Sequence, residues 1–264
     1  MAPTPVGPKD GIAWVTGASS GIGRALALKL AAQGFTVVAS ARSADDLTAL
    51  EAEAQSAGTR IVPAVLDVTD RAAAQDLIAA IEARHGPIAL AVLNAGIYLP
   101  VDGLAPDIGR FTKSFAVNLD GTVNCLAPLI ERMVARRRGQ IAIVSSVAGY
   151  SGLPTSAAYG ATKAGLTNLA ESLKFDLDRA DVLIQIVHPG FVETPATAKN
   201  PFPMPCLVPV ETAAARIATG LASGRFEITF PRRFTYVLKL LRMLPYGLYF
   251  PLVARATGWR GKRP

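Results

Sequence analysis

Residues 16–23 read Thr16-Gly17-Ala18-Ser19-Ser20-Gly21-Ile22-Gly23, and what flanks them matters more than their spelling. A β-rich apolar run, Ile12–Thr16, ends on them, and a segment of helical period, Ile22–Gln33, starts inside them. Glycines at a strand-to-helix turn let the backbone come close to a pyrophosphate, and the helix N-terminus adds free N–H groups and a partial positive charge. The spacing is G-x-x-x-G-x-G, which differs from the G-x-G-x-x-G dinucleotide fingerprint. Any turn can use glycine, so the reading rests on what the rest of the chain does around this one.

Outward from that turn, short β-rich runs alternate with Ala/Leu-rich segments of helical period. Strands are expected near Thr36–Ser40, Ile61–Leu66, Ile88–Leu93, Gln140–Ser145, Leu183–Val187 and Phe226–Phe230. Helices are expected near Ala44–Ala57, Arg71–Arg84, Phe111–Arg136, Ala158–Asp178 and Glu211–Ala222. With right-handed crossovers this pattern predicts an α/β fold: a single doubly wound Rossmann domain over residues 1–230, its parallel seven-stranded sheet covered by helices on both faces. A chain of 264 residues, 50% hydrophobic, is long enough for one such core. The stretch from Glu193 to Val208, with Pro195, Pro201, Pro203 and Pro205, reads as a functional loop or lid.

The net charge of +7 raises the question of nucleic acid, and its distribution answers it. From Pro231 onward the chain carries Arg232, Arg233, Lys239, Arg242, Arg255, Arg260, Lys262 and Arg263 and no Asp or Glu. Taking those eight charges from +7 leaves the first 230 residues at about −1, with no basic stripe for a phosphate backbone, so no nucleic-acid partner is expected. Cys125 and Cys206, with His85 and His188, offer neither a disulfide scaffold nor a spaced metal cluster, and no metal is expected. From Met1 to Asp10 no apolar run follows a basic start, so a cytoplasmic protein without a signal peptide is expected.

Chemistry concentrates at the ends of the later strands. Tyr159-Gly160-Ala161-Thr162-Lys163 opens a helix, and i, i+4 spacing sets phenol and ammonium on one face. A cation held close stabilises phenolate and fits tyrosine for acid/base work. Ser146, at the end of the fifth strand, can converge with Tyr159 on one substrate oxygen, with Ser145 as its rival. These features, with Asp67-Val68, Asn94-Ala95-Gly96, Asn118 in Asn118-Leu119-Asp120-Gly121 and Pro189-Gly190-Phe191-Val192-Glu193-Thr194, resemble the short-chain dehydrogenase/reductase family in order and spacing from residue 12 to about 230.

That resemblance implies a catalytic tetrad of Asn118, Ser146, Tyr159 and Lys163, the thirteen-residue offset to tyrosine favouring Ser146 over Ser145. It implies that Gly17, Ser19, Ser20, Gly21, Ile22 and Gly23 cradle a nicotinamide dinucleotide, with Asp67 and Val68 at the adenine and Asn94, Ala95 and Gly96 beside it. It also brings Tyr159, Lys163, Pro189, Gly190, Val192 and Thr194 to the cofactor, Thr194 at the carboxamide, and implies a homo-oligomer, dimer or tetramer. His188 stands where many members have Asn and reads as structural, an isolated His without a carboxylate partner in its motif.

The second strand runs into Ala41-Arg42-Ser43 with no carboxylate to hold ribose hydroxyls, and Arg42 can fork onto a 2′-phosphate, so NADP(H) is predicted over NAD(H). The chain departs from the family's pattern in residues 231–264, a basic, apolar extension rather than an independent domain. The spacing predicts an amphipathic helix over 233–244, with Arg232, Thr235, Lys239 and Arg242 as its polar stripe. Pro245 ends it, and the apolar run from Tyr246 to Phe250 is expected to stop at Pro251. This tail could dock on the protein's own core or a partner subunit, touch a membrane surface, or cover an apolar substrate pocket. The activity expected is NADPH-dependent interconversion of a carbonyl and an alcohol on a hydrophobic small molecule. The alternatives are a membrane-peripheral reductase of lipid ketones, of 3-oxoacyl or ketosphinganine type, and a non-catalytic NADP(H) sensor.

Overall fold

The computed structural model describes residues 3–198 and 204–259. Its seven strands are β1 (Ile12–Thr16), β2 (Val37–Ala41), β3 (Ile61–Val65), β4 (Ile88–Leu93), β5 (Gly139–Val144), β6 (Val182–Pro189) and β7 (Glu227–Phe230). They form one sheet in the order β3-β2-β1-β4-β5-β6-β7, every pair parallel. The order reverses between β1 and β4, so the crevice beyond their carboxyl ends is where an open α/β sheet binds ligands.

Because side chains alternate across a strand, each strand feeds two cores. Ala13 and Val15 of β1 pack with α1 (Gly21–Ala32), α2 (Ala44–Ser56) and α7 (Val210–Ala222). Ile12 and Trp14 pack with α3 (Arg71–His85), α5 (Gly121–Ala135) and α6 (Ala157–Arg179) on the other face. Both faces are thus covered, which is why strands such as β1 and β4 are buried at every position.

Three local expectations need correction. The single helix expected over Phe111–Arg136 is α4 (Ile108–Phe115) and α5 joined by a π-helical turn, Ala116–Asp120, a widened turn that carries Asn118. Pro251 does not stop the last helix: α9 (Tyr246–Ala256) runs through it. The only bond forfeited is to the carbonyl of Gly247, an exposed residue that water can serve.

The third concerns α8 (Arg232–Arg242). Only half of its expected polar stripe faces solvent: Arg232 and Arg242 are exposed, but Thr235 is fully buried and Lys239 reaches Glu227 of β7. Phe234, Leu238 and Leu241 instead line a cavity, and Val237 and Leu240 are exposed. Lys239 is held by a carboxylate of a strand, and no pattern internal to the helix encodes that. The Glu193–Val208 loop is pinned at its neck, where Glu193 N donates to Val208 O (2.9 Å) and Val208 N to Phe191 O (3.0 Å). Pro201 and Pro203 lie outside the described residues.

Candidate active site

The glycine turn must be built before anything can lie on it. Gly17 has φ +67°, a left-handed conformation that favours glycine, and a Cβ on Gly23 would fall 2.2 Å from the Gly17 carbonyl oxygen. That contact lets α1 start hard against the end of β1. Ser20 precedes the helix without its side chain capping it, and no acidic residue occupies the first turn. Ser20, Gly21 and Ile22 line the crevice, and an uncapped helix start of this kind can accept an anion.

Asn94 locks this turn from the neighbouring strand. Its Nδ2 donates to the carbonyls of Thr16 (3.0 Å) and Gly17 (3.2 Å), while its own N–H and that of Ala95 donate to Thr16 Oγ1. Gly96 leaves the space taken by Asn118 and Lys163: a Cβ there would lie 3.3 Å from Asn118 Oδ1 and 3.5 Å from Lys163 Nζ.

One cavity of about 690 Å³ opens over the carboxyl ends of the strands. Gly17, Ser20, Gly21 and Ile22 form one end; Asn94, Gly96, Ser146, Tyr159 and Lys163 form the middle. Pro189, Gly190, Val192 and Thr194 close the far side, Thr194 lying against Gly21. Ser19, Gly23, Ala95 and Asn118 are outside its lining. Arg42, Asp67 and Val68 sit past the ends of β2 and β3, away from it. Asp67 Oδ1 accepts hydrogen bonds from the N–H and hydroxyl of Thr69, which hold its carboxyl below the usual range, with the Arg42 charge adding to them.

Tyr159 stands edge-on to Tyr98, ring centroids 5.1 Å apart. Burial pushes its phenol above the ordinary value, a hydrogen bond with Ser146 pulls it back, and Tyr98 raises it. Lys163 Nζ lies 5.6 Å from the Tyr159 ring centroid and donates to the Val144 carbonyl (2.8 Å). Only 4% exposed, it is held down to about 8 by burial. Asn118 is fully buried, its Oδ1 accepting from Ile97 N (2.8 Å) and its Nδ2 donating to Ile97 O and Thr162 Oγ1. Ser145, the rival of Ser146, points into the core and donates to the Lys163 carbonyl (2.8 Å). Among the described residues no group of three His, Cys, Asp or Glu could hold a metal ion.

A second polar cluster escaped the sequence reading. His188 is not isolated: its Nδ1 lies 3.1 Å from Glu227 Oε1, off the axis of a good hydrogen bond, and its Nε2 is 2.9 Å from Thr167 Oγ1. Tyr150 OH donates to Glu227 (2.7 Å) and Lys239 pairs with it. Burial works against the Glu227 charge, but contacts from His188, Lys239 and Tyr150 outweigh it and hold the carboxyl down to about 2. Burial keeps His188 below its ordinary value. Residues 150, 188, 227 and 239 share no motif, and only the fold brings them together. The pocket-lining side chains of the tail, among them Phe234, Leu238 and Val253, were equally unassigned, with the pocket-cover reading as their one signal.

A parallel sheet with a glycine turn at its switch point and a Tyr–Lys pair beside it defines a dinucleotide-dependent oxidoreductase. The family model for short chain dehydrogenases matches residues 11–202, and the chain belongs to the short-chain dehydrogenase/reductase family as an NAD(P)-dependent enzyme. It is 39% identical over 237 residues to an uncharacterized oxidoreductase of Myxococcus xanthus, covering 90% of this chain and 94% of the relative. It is 34% identical to the 3-oxoacyl-[acyl-carrier-protein] reductase of Thermotoga maritima, covering 78% and 82%. In fold it is similar to a variant actinorhodin polyketide ketoreductase with NADPH (TM-score 0.77, 24% identity, 85% and 97% coverage). A short chain dehydrogenase/reductase of Burkholderia phymatum with NAD is similar as well (TM-score 0.80, 23% identity, 87% and 92%).

Proposed function

We propose that this enzyme interconverts a ketone or aldehyde and its alcohol on a hydrophobic small molecule, using NADP(H) in preference to NAD(H). The observation that carries the reading is the meeting of Ser146, Tyr159 and Lys163 in one cavity whose opposite wall is the apolar inner side of α8 and α9. The residues fit the cofactor: Gly17, Ser20, Gly21 and Ile22 line the cavity at the start of α1, where no side chain caps the helix and no acidic residue occupies the first turn, which suits a pyrophosphate. When bound there, the cofactor supplies or accepts the hydride. Gly17, Ser20, Gly21 and Ile22 would hold its phosphates, and Thr194 would sit by the carboxamide. Arg42, exposed just past β2 with no carboxylate at that strand end, supports the phosphorylated form.

In the reductive direction Tyr159 donates its phenolic proton to the carbonyl oxygen while the Ser146 hydroxyl donates a hydrogen bond to the same atom. Lys163 stabilises the phenolate that remains, and Asn118 fixes Ile97 and Thr162 around it. The burial-raised phenol suits a proton donor near neutrality. The name of the Thermotoga relative supports a 3-oxoacyl-like substrate, and exposed Phe175 and Val123 on α6 and α5 support a homo-oligomer.

The test is loss of NADPH absorbance against a panel of apolar ketones and aldehydes. Tyr159→Phe is expected to lower kcat by on the order of 10²–10⁴ with NADPH affinity nearly unchanged. Tight NADPH binding by the parent with no turnover of any carbonyl would instead identify a cofactor sensor.

A further inference from the structure

Helices α8 and α9 have two apolar sides, and only one is used by the cavity. Phe234, Leu238, Leu241 and Val253 point inward. On the outside Val237, Leu240 and Met243 are 54, 64 and 79% exposed, and Tyr246 and Phe250 stack on each other at 77 and 60% exposed. Among the described residues no helix is long and apolar enough to cross a membrane, so this surface cannot be explained as part of a span.

The orientation of α8 is what makes the surface unusual. A surface helix ordinarily turns its polar stripe to water. Here Thr235 is buried and Lys239 is drawn inward onto Glu227, so the outward stripe is left apolar. Arg232 and Arg233 stand one turn before Tyr236 and Val237 on that same side. Neither these arginines nor Arg242 or Arg255 pairs with a carboxylate among the described residues. The sequence then continues with Arg260, Lys262 and Arg263 and has no Asp or Glu after residue 230.

We propose that the outer side of α8–α9 docks on an anionic lipid surface. An apolar strip flanked by unpaired cations, with no acidic side chain in the segment, is complementary to apolar acyl chains beneath negatively charged headgroups. The same charge argues against a second copy of the chain as occupant. A two-fold contact would place arginines of one subunit against those of the other with no carboxylate in the patch to separate them. The docking stands independently of the catalytic reading, because it uses the outward residues and not the cavity.

The experiment is co-flotation of the full chain with vesicles of phosphatidylcholine alone and of phosphatidylcholine doped with phosphatidylglycerol, at low and high salt. Stronger binding to the anionic vesicles, weakened by salt, is expected. The triple substitution Val237→Ser, Leu240→Ser, Met243→Ser touches only exposed side chains and is expected to reduce partitioning on the order of tenfold or more. Arg232→Ser with Arg233→Ser is expected to cost on the order of tenfold on anionic vesicles and little on neutral ones. NADPH binding and melting temperature, measured on both variants, should match the parent and so exclude unfolding as the cause. Failure of the parent to float with anionic vesicles overturns the proposal. So does flotation that neither variant reduces, or light scattering in which the triple variant converts a dimer to monomers without changing lipid binding.

Discussion

Replacing Lys163 by Met should change how stability depends on pH more than it changes stability itself. The amine is 4% exposed and held down from 10.5 to about 8 by burial. Between those two pH values the unfolded chain keeps a proton that the folded protein has lost, so stability rises with pH there. The gap of about 2.5 pH units corresponds to a penalty of about 3 kcal/mol below pH 8. Roughly 2 kcal/mol of it is relieved between about pH 7 and about pH 9.5. Met keeps the bulk and discards the charge, but strips the Val144 carbonyl of its Nζ donor, a loss of about 1–3 kcal/mol. Absolute stabilities of parent and variant therefore leave the question open, whereas their pH slopes do not. Cys125, pushed up by burial to about 12, makes both proteins lose stability at high pH and cancels in the difference. Urea unfolding of cofactor-free protein, followed by circular dichroism across this range, measures the slopes. Parallel curves for parent and variant would falsify the assignment of a burial-depressed amine at this site.

Two further substitutions probe the cofactor's side of the crevice. Gly23→Ala places a methyl 2.2 Å from the Gly17 carbonyl and 2.5 Å from Asn94 Nδ2, and should cost about 1–3 kcal/mol by thermal melting while weakening NADPH in a fluorescence titration; parent-like values in both would show that the turn has slack. If Arg42 holds the 2′-phosphate as proposed, Arg42→Asp removes a charge-assisted contact worth about 1.5–3 kcal/mol, so NADPH affinity should fall about tenfold to a hundredfold relative to NADH. A variant that still prefers the phosphorylated cofactor would remove Arg42 from the site.

Much of the scaffold was legible because its signals are local. The seven strands and the order of their helices follow from apolar runs and helical periods. Gly17, Gly21 and Gly23 were readable at their turn because a strand ends and a helix begins there. Tyr159 and Lys163 were readable because i, i+4 spacing on a helix is itself a distance. Asn118 was found by resemblance to the family's pattern, but the π-helical turn that holds it between Ile97 and Thr162 was not, since one extra residue in a helical turn leaves no periodic mark.

The amino-acid order alone determined that β-strands and helices alternate, that a glycine turn meets a helix, and that a phenol and an amine share a helical face, all interactions within about one turn of the chain. Only folding decided that Glu227 gathers His188, Tyr150 and Lys239, and that α8 sits with Thr235 and Lys239 turned inward and Val237 and Leu240 left outside. The physical reason is that a half-buried carboxylate takes its partners from whatever the topology brings within reach, and those partners lie 39 to 77 residues before it and 12 after it.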